Sequence, residues 1–302
     1  MNYVYYPGCS LKGIGRAYEE SLLSLFEHIG LNVSELSDWN CCGATAYMSI
    51  DESKAFALSA RNLALAEMQG DGNETINLIA PCSGCYLVLS KAQRYLSEYR
   101  PLGDKIMDAM RSTGLNYTGK VRIRHPLDVL VNDVGLEKIS SLVKRSLGYL
   151  RVACYYGCQI MRPYATFDDQ HEPNTMNRLL QVLGAETISW PLSTRCCGGS
   201  LTGTFDKVGL RLNYILLKDA VRRGANVIAT ACPLCQFNLE SYQTRIGRQY
   251  KDDVNMPIAY FTQIIGSALG ISERRLGMRR LFVPPALSAA GDAVRGGGYV
   301  GK

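Results

Sequence analysis

Two sets of five cysteines run along the 302-residue chain in the same order: one alone, then an adjacent pair, then two separated by two residues. The first set is Cys9, Cys41, Cys42, Cys82 and Cys85, with the pattern C-x31-CC-x39-CSGC. The second is Cys158, Cys196, Cys197, Cys232 and Cys235, with the pattern C-x37-CC-x34-CPLC. Flanking residues repeat as well: YYPGC at 5–9 against YYGC at 155–158, NCCGA at 40–44 against RCCGG at 195–199, and APCSGC against TACPLC. Order, neighbours and spacing together identify an internal duplication, and a repeat fixes architecture before any single residue does. The longer pair-to-CxxC interval of copy one traces to four extra residues in the turn signal Gly-Asp-Gly-Asn at 70–73, where added length costs little.

The flanks of the motifs give a coarse fold. In copy one, short apolar runs at 2–6, 33–36, 76–80 and 121–124 read as strands. A helix is expected to carry Leu22, Leu23, Leu25, Phe26 and Ile29 at helical spacing and to stop at Gly30, and further helices are expected over 52–68 and 86–99. Copy two gives strands at 150–153, 186–190 and 227–231 and helices at 175–183 and 207–223. Alternation of this kind predicts an α/β fold: two tandem duplicated units, 1–145 and 146–302, with largely parallel sheets. Ligands of such sheets gather at the carboxyl ends of strands, and every motif cysteine follows a predicted strand end. The last stretch, 283–302, has little core-forming pattern and reads as a flexible tail.

Composition narrows the class. A hydrophobic content of 47% over 302 residues suffices for two cores. No apolar run reaches the ~18–20 residues that a membrane span needs, and the start MNYVYYPGCS lacks the regions of a secretory signal. A cytoplasmic location is therefore expected. The net charge of +6 is modest, and the one basic cluster, Arg274, Arg275, Arg279 and Arg280, reads as a solvated segment. No nucleic-acid module is recognisable. In a reducing cytoplasm eleven cysteines are not structural disulfides, and free thiols are otherwise small buried hydrophobes.

Thiolate sulfur is the ligand for zinc and for iron–sulfur clusters. A CxxC can converge on one metal centre, whereas the neighbouring side chains of a CC pair point apart. A mononuclear zinc uses four ligands, and so does an ordinary cubane cluster, so five thiolates leave one over. A vicinal pair suits a larger or more open cluster. Zinc at one motif stays open as the alternative.

With these residues in view, both copies resemble the cysteine-rich CCG domain, and their order resembles the B subunit of heterodisulfide reductase, from YYPGC to about residue 269. The resemblance implies two noncubane [4Fe–4S] clusters facing each other across a substrate channel. One would be held by Cys9, Cys41, Cys42, Cys82 and Cys85, the other by Cys158, Cys196, Cys197, Cys232 and Cys235. It further implies reductive cleavage of a disulfide, in methanogens the one joining coenzyme M to coenzyme B, with no catalytic side chain beyond the clusters. Partners implied are the ferredoxin-like subunit and the flavin-containing subunit of a heterodisulfide-reductase-type complex, since no ferredoxin run and no dinucleotide fingerprint is present. Cys154, four before Cys158, competes with it as a ligand; the shared YY(P)GC context favours Cys158.

Substrate anchors are expected among cations beside the cysteine turns, namely Lys12, Arg16, Arg162 and Arg195. Of the three histidines, His28 reads as a structural or surface residue, His125 ends a strand and is a candidate to face the site, and His171 has no assigned role. Three readings differ from a reductive disulfide enzyme. A sulfur-oxidising subunit would act on a related or carrier-bound sulfur substrate. An electron-transfer subunit of a quinone-linked or dehydrogenase complex would carry the clusters without catalysis. A zinc-stapled binding module would carry neither.

Overall fold

Each half builds a four-stranded, all-parallel sheet from short segments rich in β-branched and aromatic residues. In a computed structural model that describes residues 3–44, 46–70, 74–164 and 166–287, the first sheet comprises β1 (Tyr3–Tyr5), β2 (Val33–Glu35), β3 (Ile76–Ile79) and β4 (Val121–Arg124). Its order is β2-β1-β3-β4. The second comprises β5 (Arg151–Tyr155), β6 (Glu186–Thr187), β7 (Val227–Thr230) and β8 (Ile258–Tyr260), in the order β6-β5-β7-β8. The expected α/β architecture with two equivalent units is present. The turn at 71–73 and residues 288–302 of the expected tail lie outside the described residues.

Register shows how close the two copies are. Tyr5 of β1 pairs with Ile79 of β3, three residues before Cys82. Cys154 of β5 pairs with Ala229 of β7, three residues before Cys232. Counted back from the lone cysteine, Tyr5 and Cys154 again coincide, each four residues before Cys9 or Cys158. Cys154 is thus the strand counterpart of a core tyrosine, and Cys158 is the counterpart of Cys9.

Helices differ from the sequence reading mostly at their starts. Helix Glu52–Gln69 begins where Asp51 accepts hydrogen bonds from the amides of Ser53 and Lys54, satisfying two of the free donors of its first turn. Helix Ser83–Glu98 starts three residues before the expected 86, inside the CxxC motif itself. Its counterpart Pro233–Ser241, which was not foreseen, also starts inside its CxxC, with Pro233 at a first-turn position that needs no amide proton. The expected strand at 186–190 stops at Thr187. Strand β8 and helices Arg100–Arg111, Gln243–Tyr250 and Phe261–Ala268 were not foreseen.

The last of these joins the halves. Helix Phe261–Ala268 packs on helix Arg16–His28, where the Tyr18 and Tyr260 rings stack at 4.6 Å and 6° and Ser21 Oγ lies 2.6 Å from Thr262 Oγ1. A contiguous core draws Leu22 and Phe26 from one half and Leu180 and Ile264 from the other. Each large apolar side chain buried there contributes roughly 1.5–3 kcal/mol, and a stacked ring pair about 0.5–1.5 kcal/mol more. A smaller core, including Leu217, Ile228 and Ile258, belongs to the second half. Arg275 and Arg280, expected in a solvated segment, instead form ion pairs with Glu27 and Glu20 of helix Arg16–His28. Opposite charge draws that segment back onto the first half, although such exposed pairs contribute only about 0–1 kcal/mol. No helix among the described residues is long and apolar enough to cross a membrane.

Candidate metal centres

The carboxyl ends of β1, β2 and β3 lead into the three turns that carry the first five cysteines, and those of β5, β6 and β7 do the same for the second five. In the first group Cys42 Sγ lies 3.3 Å from Cys85 Sγ, and Cys41 Sγ lies 3.9 Å from Cys9 Sγ. In the second, Cys197 Sγ lies 3.5 Å from Cys235 Sγ, and the thiols of Cys158 and Cys196 are electrostatic neighbours. The amide of the following glycine donates to the first sulfur of each pair, Gly43 to Cys41 at 3.4 Å and Gly198 to Cys196 at 3.3 Å. Cys42, Cys82 and Cys85 are buried, as are Cys197, Cys232 and Cys235; Cys9, Cys41 and Cys196 reach the surface and Cys158 is half-buried.

Crowding by neighbouring thiols polarises each group in the same sense. Hydrogen bonds from Cys42 and Cys9 hold the Cys41 thiol far below the usual range, and bonds from Cys158 and Cys197 do the same for Cys196. Their donors move the other way: Cys9 and Cys158 are pushed up by bonding to Cys41 and Cys196. Cys154 is in neither group. It is buried within the sheet, and burial alone pushes its thiol up.

Several residues that no motif announced hold the turns in place. The hydroxyl of Tyr6 donates to the carbonyl of Asn40 at 2.7 Å, and that of Tyr155 to the carbonyl of Arg195 at 2.6 Å, each bracing the residue before the CC pair. Both tyrosines sit three residues before a lone cysteine, and both pack on a tryptophan, Trp39 or Trp190. The repeated YY(P)GC carries the tyrosines but not the distant carbonyls that their hydroxyls reach. Asn238 donates to Cys197 Sγ at 3.5 Å and to the carbonyl of Gly199 at 2.9 Å. Gly8 has φ of 62°, and a Cβ there would stand 2.8 Å from Cys85 Sγ; at Gly157, φ 69°, it would stand 3.2 Å from Cys235 Sγ. Only glycine allows the chain this close to the sulfur in that conformation.

The two groups abut. Ser83, inside the first CxxC, donates to the carbonyl of Ala231 at 3.4 Å and reaches the Cys232 thiol. His125 is fully buried behind the first CxxC. Its Nε2 lies 3.2 Å from the carbonyl of Pro81, its Nδ1 accepts from the amide of Leu127, and its ring stacks on Phe167. Burial pushes its pKa down to about 4, so it is a neutral strut. His28 closes helix Arg16–His28, and His171 is exposed in a loop. Of the expected anchors, Lys12 is held by Glu19 at 2.7 Å and Glu35 at 2.8 Å, and Arg16 lies 3.7 Å from Glu20. Arg162 donates to the carbonyl of Thr194, and Arg195 is exposed beside Cys196.

Five thiols per group, with backbone amides aimed at sulfur and glycine at the closest approach, fit a thiolate-bound iron–sulfur group. Among the described residues no three His, Cys, Asp or Glu side chains are grouped as they would be around a single ion; the sulfurs pair off instead.

Fold and sulfur arrays together define a duplicated α/β cysteine-rich protein. The family model described as the cysteine-rich CCG domain matches residues 3–90 and again 152–240, and the chain belongs to that family. It is 28% identical over 278 residues to the 8-methylmenaquinol:fumarate reductase membrane anchor subunit of Wolinella succinogenes, covering 91% of this chain and 95% of that protein. It is 28% identical over 283 residues to a protein of Archaeoglobus profundus that is named as similar to the heterodisulfide reductase B subunit, covering 91% and 93%. It is 25% identical over 279 residues to the B subunit of the ferredoxin:CoB-CoM heterodisulfide reductase of Methanosarcina mazei, covering 90% and 91%. The fold also matches the crystal structure of a hypothetical protein from Helicobacter pylori with a TM-score of 0.73 at 16% identity. That match covers 93% of this chain, which spans about half (52%) of the Helicobacter chain.

Proposed function

We propose that this chain is the cluster-bearing subunit of a heterodisulfide-reductase-type oxidoreductase. In this reading Cys9, Cys41, Cys42, Cys82 and Cys85 hold one noncubane [4Fe–4S] cluster, and Cys158, Cys196, Cys197, Cys232 and Cys235 hold the other. The substrate is a disulfide or a related sulfur species that is reductively cleaved between them. Separate ferredoxin-like and flavin-containing subunits would deliver the electrons in the cytoplasm, and residues 1–145 and 146–302 would be the two CCG domains. The observation that supports this best is the abutment of two equivalent five-thiol groups, joined by Ser83 and Ala231 across the boundary between the copies.

Bound iron–sulfur groups supply the one-electron chemistry. The chain supplies position and dryness. Cys82, Cys85, Cys232 and Cys235 are buried away from water, while exposed Cys41 and Cys196 leave each group open to an incoming substrate. Tyr6, Tyr155 and Asn238 fix the CC turns. Cys158 is the fifth ligand because its register matches Cys9, whereas Cys154 occupies the place of Tyr5.

Iron, acid-labile sulfide and zinc per chain, measured on anaerobically purified protein, test the reading, with EPR after oxidation in the presence of thiols. About eight irons per chain and a thiol-dependent signal are expected; zinc with little iron would leave a metal-stapled module. The similarity to a component of a methylmenaquinol:fumarate reductase supports a second reading, an electron-transfer role in a quinol-linked complex. Its mark would be full iron content with an EPR signal unchanged by disulfides or thiols.

A further inference from the structure

The cations beside the cysteine turns are of two kinds. On the first half Lys12 and Arg16 are already matched by carboxylates. On the second half Arg162 and Arg195 line a cleft of about 720 Å³ together with Arg178 of helix Thr175–Gln181. None of these three arginines has a carboxylate partner among the described residues; Arg162 makes a hydrogen bond to the carbonyl of Thr194. Several arginines elsewhere on the surface are paired, as Arg61 is with Asp38, Arg151 with Glu186 and Arg223 with Asp219. Glu172 is the one acidic side chain of the cleft, and His171 and Asn174 add polar groups.

Three guanidinium groups around one cavity repel each other unless an anion lies between them. Their planar forks match the geometry of oxyanions, which accept two parallel hydrogen bonds from each. The cleft also adjoins the second sulfur group. Arg195 directly precedes Cys196, and the amide of Arg162 donates to the carbonyl of Cys158 at 3.1 Å.

We propose that this cleft is an oxyanion-binding site, which takes a phosphate, sulfonate or carboxylate group between Arg162, Arg178 and Arg195. The site stands apart from the disulfide reading; that the oxyanion is carried by the sulfur substrate, rather than free, rests on it.

Isothermal titration of the cluster-loaded holoprotein with inorganic phosphate, at fixed ionic strength, tests the site without turnover. Saturable binding is expected, weakened about tenfold by Arg178→Gln and about a hundredfold by the Arg178→Gln, Arg195→Gln double variant. Glu172→Gln removes the opposing charge without touching an arginine, and is expected to tighten binding severalfold. No saturable binding to the wild-type protein, equal affinity in the double variant, or unchanged affinity in Glu172→Gln would each overturn the site. Dye-driven reduction of two disulfides then separates the sources. Phosphate raising the KM for oxidised 3-mercaptopropionate but not for hydroxyethyl disulfide would put the oxyanion on the substrate; no effect on either would make it a free anion. Intact phosphate binding in a protein that reduces neither disulfide would sink the disulfide reading and leave the cleft standing.

Discussion

The Ser83 hydroxyl donates to the carbonyl of Ala231 at 3.4 Å, so the first CxxC turn is hydrogen-bonded to the residue that introduces the second. Ser83 has a single hydroxyl proton, and with Cys232 as a thiolate that proton can turn from the carbonyl to the sulfur. Copy two has Pro233 at the matching position, which has no hydroxyl to reciprocate, so the two sulfur groups are inequivalent at this point. Hydrogen bonds to ligand sulfur favour the reduced state of an iron–sulfur centre. Ser83→Ala is therefore expected to keep full iron content while moving the potential of the second centre downward. Redox titration followed by EPR checks this; unchanged potentials would show that Ser83 serves packing alone.

Gly8 approaches Cys85 more closely than any side chain permits. Gly8→Ala combines a backbone with φ of 62°, costing about 1–2 kcal/mol, with a Cβ 2.8 Å from Cys85 Sγ. The first group should lose its metal while the second keeps its own, which iron analysis reads as half the wild-type content. Gly157→Ala meets Cys235 Sγ at 3.2 Å and should act in the same direction more mildly.

Register favours Cys158 over Cys154 as a ligand. Cys154 pairs with Ala229 inside the second sheet, as Tyr5 pairs with Ile79 inside the first. Cys154→Ala should leave both centres loaded, at a stability cost of about 1 kcal/mol for a small buried side chain. Cys41→Ala, Cys158→Ala and Cys196→Ala should each damage one centre and abolish turnover. Iron loss from Cys154→Ala with Cys158→Ala silent would reverse the assignment.

His125 gives the fold a pH dependence that can be measured by difference. Burial lowers its pKa from 6.5 to about 4, so between those values the unfolded chain binds the proton more tightly. The contribution is intact above pH 6.5 and is lost progressively as pH falls toward 4. Between pH 7.5 and 5.5 the wild-type protein should lose about 1 kcal/mol more stability than His125→Gln. Chemical denaturation at the two pH values checks it; parallel loss in both proteins would mean that His125 is protonated in the fold.

The duplication, the alternation of strands and helices, and the order of the cysteine turns were all legible in the residues, because motif and strand end coincide twice. What escaped was set by contacts distant in sequence. Helix Phe261–Ala268 and β8 carry no copy of a cysteine motif, and their role depends on a helix more than two hundred residues earlier. The expected anchors were chosen by nearness to cysteine, but nearness is silent about Glu19 and Glu35, which neutralise Lys12 from a helix and a strand. His125 was a candidate to face the site; the carbonyl of Pro81 and the ring of Phe167 take its faces instead.

The pairing of helix Phe261–Ala268 with helix Arg16–His28 also sets an order of events on the ribosome. The strands of the first sheet are all synthesised by residue 124, but Tyr18 waits for Tyr260 and Ser21 for Thr262. At ordinary elongation rates the intervening residues take roughly 7–30 s to emerge. Throughout that time the nascent first copy displays an apolar face and reactive thiols together, so metal loading and chain completion have to be coordinated in the living cell.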